Sequence, residues 1–159
     1  MSKEYLYSLA LNWTGNTGQG TEKYQSYERA YTLNVPGKPV IVGSADPAFR
    51  GDKTCWNPEE LLLASIAACH MLWYLHLCSE AHIVVFAYED HPTGKMQVEG
   101  AGAGRFQEVT LNPVIQISDI KQSELALSLH KTAHQKCFIA NSLNFPVWLN
   151  PNIAGKFKT

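Results

Sequence analysis

The sequence predicts an α+β fold in which antiparallel sheets pack around one long, buried central helix. Segments that alternate apolar and polar residues lie on both sides of a single long apolar run, and a second helical segment begins near residue 119. The elements do not alternate regularly as strand, helix and strand, which disfavours a parallel α/β fold. With 45% hydrophobic residues and neither repeat nor linker, residues 1–159 are expected to form a single domain.

Strand and turn signals dominate the first part of the chain, over about residues 4–44. Large side chains recur at every second position from Tyr5 to Trp13, which is the period of a half-buried strand. A glycine-rich turn follows, and residues 22–34 carry three tyrosines, so we expect a hairpin. A proline- and glycine-containing break separates this hairpin from a short third strand, VIVG.

The central helix is predicted over about residues 58–78. Asn57 is a good N-cap, Pro58 suits the first helical position, and the acidic pair Glu59 and Glu60 suits a capping box and the helix dipole. Residues 61–77 are apolar on every face of the helix. A helix of this kind is expected to be enclosed on all sides.

Strands are expected to return over about residues 82–118, followed by a second helix over about 119–136 and a C-terminal strand over about 146–153. The strand segments are rich in valine, isoleucine and aromatic residues and are separated by breaks that contain glycine. The second helix starts after Ser118-Asp119, and its apolar residues recur at helical spacing.

Composition excludes several classes of function. The long apolar run, residues 61–77, is shorter than the ~20 residues of a membrane span and contains two histidines, so we expect no membrane partner. A net charge of −1 without basic clusters disfavours nucleic acid. The N-terminus has no signal-peptide core, which favours a cytoplasmic location. Four dispersed cysteines without a C-x-x-C pair fit neither a zinc ribbon nor a disulfide-rich module.

Individual thiols are therefore the candidate reactive groups. Cys69 lies in the middle of the central helix, eleven residues after Pro58, where the helix dipole no longer acts. In an apolar site without partners it would be an inert thiol with a raised pKa. Cys55 in a loop and Cys78 at the helix end have no evident partner, so both are expected to be inert.

Several motifs resemble those of the OsmC/Ohr family of thiol peroxidases, in the same order and over nearly the whole chain. The opening W-x-G-x-x-G-x-G, from Trp13 to Gly20, is similar to the first hairpin of that family. The other matching segments are Asn57-Pro58-Glu59 with Cys69, Ala133-His134-Gln135-Lys136-Cys137, and Asn141-Ser142.

The resemblance implies an OsmC-like fold and a two-cysteine reduction of organic hydroperoxides to alcohols. Cys69 would become a sulfenic acid, and Cys137 would condense with it to form a disulfide. An external dithiol, which in the family is often a lipoyl group, would reduce the disulfide back to two thiols. The resemblance implies neither a metal nor another cofactor. The alternative is a non-catalytic, stress-associated binding protein with the same fold.

A reactive thiolate also needs a stabilising cation. The family places an arginine where this chain has Thr17, so we favour Arg29 on the second strand of the hairpin, with Arg50 as the alternative. Glu59 matches the acid that orients this arginine in the family. Ten helical residues separate Glu59 from Cys69, about 15 Å, so the resemblance implies an intertwined homodimer whose second subunit supplies the pair.

Histidines and aromatic residues also lie near the two cysteines in the sequence. A metal site of Cys69, His76 and Cys78 lacks the i, i+4 ligand spacing usual on helices, so His70 and His76 are expected to be packing histidines. His134 is expected to support the structure around Cys137. The following aromatic residues could line an apolar substrate channel or pack in the core: Trp73, Tyr74, Phe138, Phe145 and Trp148.

Overall fold

Short strands and two α-helices make up the computed structural model, which describes residues 3–100 and 102–154. The described residues fall into two compact units, one up to Leu61 and the other from Leu62 onward. Sheets and a long central helix together form a mixed α+β structure, so the predicted fold class is confirmed.

In the first unit, β1 (Ala10–Trp13), β2 (Tyr31–Asn34) and β3 (Ile41–Gly43) form an antiparallel sheet in that order. A Cβ atom at Gly43 would lie 2.2 Å from the Tyr31 ring, so this cross-strand pair requires glycine. The strands are shorter than the sequence pattern predicted, because residues 14–30 form turns instead of continuing the ladder.

A turn inside this segment is held by a single asparagine. The Asn16 side chain accepts hydrogen bonds from the backbone N–H groups of Gly18 at 2.9 Å and Gly20 at 3.0 Å. Both glycines have positive φ, which residues with a side chain rarely adopt. The asparagine and the glycines together therefore end the regular pairing of the hairpin here.

The central helix, α1, spans Pro58–Glu80 without a break. Its start has the capping-box geometry that the sequence predicted. The Asn57 side-chain oxygen accepts a hydrogen bond from the Glu60 N–H at 2.8 Å, and the Glu60 carboxylate accepts one from the Asn57 N–H at 3.2 Å.

The expectation that α1 is enclosed on every side is wrong for a single chain. Its buried residues, from Ile66 and His70 to Tyr74, form one stripe at four-residue spacing. Another stripe on the same helix is exposed, and its residue Leu72 is 62% exposed. The reason is that the layers one chain provides cover one face only. This exposed stripe consists of Ala64, Ala68, Leu72 and His76.

In length and apolar composition, α1 is the one helix in the described part of the chain that would suffice to cross a membrane. The central helix of a globular fold has the same properties, so this is weak evidence for a span.

Two three-stranded sheets belong to the second unit, and each combines antiparallel and parallel pairs. The first has the order β4, β7, β9 and the second the order β5, β6, β8. The strands are β4 (Val85–Glu89), β5 (Thr93–Val98), β6 (Gly104–Leu111), β7 (Val114–Ile117), β8 (Val147–Leu149) and β9 (Asn152–Ala154).

Two Leu-Asn-Pro sequences divide what the sequence pattern predicted as continuous strands. Asn112-Pro113 separates β6 from β7, and Asn150-Pro151 separates β8 from β9. Proline has no N–H to donate to a ladder, so each segment leaves one sheet and enters the other at this point. The two breaks lie side by side, since the Asn150 side chain donates to the Asn112 side-chain oxygen at 3.3 Å.

The second helix, α2, spans Ser123–Lys136 and follows a 3₁₀ turn, Ile120–Gln122, that Asp119 caps. Its buried residues are Ala126, His130 and Ala133. One core cluster joins α2 to α1 and to β7, and a second cluster surrounds Ile66 of α1. The first cluster comprises Tyr74, Leu77, Cys78, Ile83, Ile115, Ile117, Ala126 and Ala133.

Candidate active site

The structure brings Cys69 and Cys137 together. Cys69 lies in the middle of α1, and Cys137 is the residue at which α2 ends, where the backbone turns to an extended conformation. Their side chains lie close enough for Cys69 to influence the pKa of Cys137, although 68 positions (137 − 69) separate the two residues in the sequence. Both thiols are free, as are Cys55 and Cys78.

Cys137 is fully buried, and its surroundings keep it protonated. Burial raises the pKa of the Cys137 thiol to about 11, while the Ala140 N–H, which donates to its sulfur at 3.4 Å, acts in the opposite direction. The proximity of Cys69 acts in the same direction as burial and contributes to the raised pKa of Cys137. At neutral pH the Cys137 thiol is therefore protonated.

Cys69 opens onto an apolar pocket of about 300 Å³. The Trp73 and Phe138 rings meet edge to face at 5.6 Å between centroids, and Phe138 is 69% exposed. Two of the five aromatic residues considered for a channel thus line the pocket, while Tyr74 and Phe145 pack in the core. The full lining is Cys69, Leu72, Trp73, His76 and Phe138.

A positive group that the sequence reasoning missed stands beside this pocket. The ammonium of Lys136 lies 5.3 Å from the centroid of the Trp73 ring, which is a cation–π distance. Lys136 directly precedes Cys137 within the A-H-x-x-C motif, so its position in the sequence was a signal that could have been used.

Arg29, the favoured cation, is held by its own hairpin in the first unit. Its guanidinium donates hydrogen bonds to the backbone carbonyls of Tyr24 and Tyr27 and lies 4.2 Å from the centroid of each tyrosine ring. Arg50, the alternative, lies 5.9 Å from the same Tyr24 ring. In the described part of the chain neither arginine forms an ion pair with a carboxylate.

Glu59, the predicted orienting acid, is partly buried in the first turn of α1. One of its carboxylate oxygens is buried and has no hydrogen-bond partner among the described residues. The predicted pairing of Glu59 with Arg29 is therefore not formed within this unit. The carboxylate instead acts on Tyr31, whose pKa is raised first by burial and then by the charge of Glu59.

The residues considered for a metal site do not converge. Cys78 is buried, which raises the pKa of its thiol, and it contacts Tyr74 in the core. His76 lies on the exposed side of α1, 3.6 Å from Glu80. Within residues 3–100 and 102–154, no group of three or more His, Cys, Asp or Glu side chains is arranged to hold a metal ion.

The other two histidines of the sequence analysis lie near the cysteine pair. His70 is buried and hydrogen-bonded to His130 of α2, a residue that sequence reasoning missed. The His134 carbonyl accepts the backbone N–H of Cys137 at 3.2 Å, so His134 supports the end of α2 through its main chain. Its side-chain Nδ1 is buried without a hydrogen-bond partner among the described residues.

The fold and these contacts define the class, an α+β protein whose central helix presents a cysteine to a second cysteine. The family model described as OsmC-like protein matches residues 51–152, more than half of the sequence. The chain belongs to the OsmC-like protein family. A comparison with curated proteins gives no match.

Solved structures with the same fold include proteins with and without an assigned role. An OsmC-like protein of unknown function from Vibrio cholerae has a TM-score of 0.83 and 26% identity, covering 95% of this chain and 100% of its own. An OsmC-like protein from Mycoplasma pneumoniae has a TM-score of 0.69 and 17% identity, covering 99% and 100%. An organic hydroperoxide resistance protein from Elizabethkingia anophelis has a TM-score of 0.66 and 18% identity, covering 97% and 100%.

Proposed function

We propose that this protein is a thiol-dependent peroxidase that reduces organic hydroperoxides to alcohols. The observation that carries the proposal is the contact between Cys69 and Cys137 beside an open, apolar pocket. Membership of the OsmC-like family and a fold shared with a hydroperoxide resistance protein support it.

In the first step the Cys69 thiolate attacks the distal oxygen of the hydroperoxide. The O–O bond breaks, the alkoxide takes up a proton and leaves as the alcohol, and Cys69 becomes a sulfenic acid. In the second step the Cys137 sulfur attacks the oxidised sulfur. The S–O bond breaks, the S–S bond forms, and the departing hydroxide leaves as water with the Cys137 proton.

The pocket favours the organic part of a hydroperoxide. Its walls are a leucine, two aromatic rings and one histidine, and it is open to solvent beside Cys69. An apolar wall of this kind binds an alkyl or aryl group through burial of apolar surface, whereas hydrogen peroxide has no such group to bury. An external dithiol, for which a lipoyl group is the proposed type, would return the disulfide to two thiols. Such a cycle suits a reducing cytoplasm.

A homodimer would complete the site. We propose that a second copy covers the exposed stripe of α1 and supplies Arg29 and Glu59 to the Cys69 pocket. Among the residues that the structure describes, the lining of this pocket includes no arginine, and Arg29 and Glu59 form no ion pair with each other. Glu59 also lies about 15 Å along α1 from Cys69, too far to act on that sulfur directly.

Sedimentation tests the proposed homodimer. At micromolar concentration the protein is expected to sediment at about twice the mass of its 17.7 kDa chain. Leu72→Glu places a charge in the exposed stripe and is expected to shift the protein toward the monomer, because burying an unpaired charge is unfavourable. Lys38→Glu is a matched control on an exposed loop. A monomer at the same concentration would contradict the proposed dimer.

Thiol counting tests the peroxidase directly. One equivalent of cumene hydroperoxide is expected to remove two of the four titratable thiols of the denatured protein, and Cys69→Ser is expected to lose none. Cys137→Ser is expected to stop at a sulfenic acid that dimedone traps, because the resolving thiol is absent. Unchanged thiols in the wild-type protein would favour the non-catalytic binding protein instead.

A further inference from the structure

A buried pair of histidines joins the two helices that carry the cysteines. His70 Nε2 of α1 lies 3.0 Å from His130 Nδ1 of α2, and the two residues are 1% and 2% exposed. Their rings are nearly parallel, with an angle of 11° between the planes. The Tyr74 ring stacks on His130 with a centroid distance of 3.9 Å.

Both imidazoles are neutral in this setting. Burial lowers the pKa of His70 to about 4 and that of His130 to about 3, and the neighbouring histidines act in the same direction. One ring therefore donates an N–H and the other accepts it through a lone pair. The outer nitrogens, His70 Nδ1 and His130 Nε2, have no hydrogen-bond partner among the described residues.

The pair also links the two helices through a side-chain hydrogen bond. Among the side-chain hydrogen bonds of the described residues, the one between His70 and His130 alone connects α1 to α2. His130 lies between Ala126 and Ala133, both fully buried. The small alanine side chains on both sides of His130 let the helices approach closely. The hydrogen bond between the histidines then defines the position and rotation of one helix relative to the other.

The alignment of α1 and α2 that the histidines define also determines where the two cysteine sulfurs lie relative to each other. His70 directly follows Cys69 in α1, and His130 precedes Cys137 by seven residues, about two helical turns. A shift of α2 along α1 would therefore move Cys137 relative to Cys69. It would leave the apolar pocket in front of Cys69 largely in place, because four of its five lining residues, Cys69 included, lie on α1.

We propose that His70 and His130 are positioning residues for disulfide formation: their hydrogen bond holds α1 and α2 in the alignment at which Cys137 reaches oxidised Cys69. This inference rests on the proposed peroxidase function. It predicts different effects on the two chemical steps. The attack of Cys69 on the hydroperoxide does not depend on the alignment of the helices, whereas the attack of Cys137 on the sulfenic acid does. Neither histidine gains or loses a proton in either step.

The test is a single-turnover experiment on variants that keep or break the hydrogen bond. His70→Gln and His130→Asn each place an amide nitrogen or oxygen near the ring nitrogen that they replace, whereas His70→Leu and His130→Leu cannot bond. With excess cumene hydroperoxide in a stopped-flow instrument, the leucine variants are expected to form the disulfide between about ten- and a hundredfold more slowly. Formation of the sulfenic acid is expected to change less than about threefold, and the amide variants are expected to recover most of the disulfide rate.

A comparison at one position covers the case in which the leucine variants do not fold. His70→Asn is polar like His70→Gln, but its side chain is one methylene shorter and does not reach the position of His70 Nε2. We therefore expect His70→Asn to form the disulfide slowly and His70→Gln to form it at nearly the wild-type rate. His91→Leu, at an exposed loop position, is the matched control and is expected to leave both rates unchanged. Equal disulfide rates in the bonding and non-bonding variants would overturn the positioning role. Absence of any sulfenic acid in the wild-type protein would instead overturn the peroxidase.

Discussion

Replacing Cys69 by serine is expected to lower kcat/KM for cumene hydroperoxide by at least about a thousandfold. A serine hydroxyl is not ionised at neutral pH and is a far weaker nucleophile toward the O–O bond than a thiolate. The substitution keeps nearly the same volume at a partly buried position, so the fold should be retained. The measurement is steady-state consumption of the hydroperoxide with dithiothreitol as the reducing dithiol.

Cys55→Ser is the matched control for this prediction. Cys55 lies in the loop that precedes α1, is partly buried like Cys69, and contributes nothing to the apolar pocket. Its serine variant is expected to keep kcat/KM within about twofold of the wild-type value. Full activity in Cys69→Ser, or a comparable loss in Cys55→Ser, would contradict the assignment of Cys69 as the peroxidatic residue.

Local signals explain why the central helix could be predicted. The side chains that begin α1 bond to backbone groups three residues away, and the same local rule applies in any fold. The covering of α1 could not be predicted in this way. An apolar composition shows that a face avoids water, and it does not show whether the same chain or another copy covers that face.

Strand boundaries were predicted less well, for a physical reason. Alternation near the N-terminus indicated a strand from Tyr5, but β1 begins at Ala10, because a strand also needs a partner that alternation does not specify. The two Asn-Pro breaks were visible in the sequence as proline signals. That they mark a change of sheet depends on the pairing of β6 with β8 and of β7 with β9.

Motif resemblance, not spacing, predicts that Cys69 and Cys137 act as a pair. Residues so far apart in sequence meet only through tertiary packing, and neither thiol shows by itself which partner it has. The same limit applies to His130 and Lys136. Their contacts with His70 and Trp73 depend on how α2 and its end pack on α1.

Acid is expected to destabilise this protein because of the buried histidine pair. In the unfolded chain a histidine has a pKa near 6.5, and burial lowers the pKa of His70 to about 4 and of His130 to about 3. Between these limits the unfolded chain binds protons that the folded protein does not, so stability is complete above about pH 6.5 and falls as the pH decreases. At pH 5 the loss is expected to be about 2 kcal/mol for each histidine.

Neighbouring titratable groups do not reverse the expected loss of stability in acid. Tyr74 stacks on His130 from α1, and Cys78 contacts Tyr74. Burial raises the pKa of both groups, so they stay neutral throughout the acid range. His134 is the titratable neighbour on α2, and it contributes to the lowered pKa of His70 in the same direction as burial. Asp90 acts in the opposite direction, because burial raises its pKa and the folded protein then binds a proton more readily than the unfolded chain.

The measurement is the free energy of unfolding in urea at pH 7.5 and at pH 5.0, for the wild-type protein and for the double variant His70→Gln/His130→Asn. Both proteins share Asp90, His134 and every other titratable group, so the difference between their pH dependences isolates the pair. The double variant is expected to lose several kcal/mol less than the wild type on acidification, although it starts from a similar or lower stability at pH 7.5. Parallel losses in the two proteins would show that the histidines titrate normally and are not buried as neutral rings.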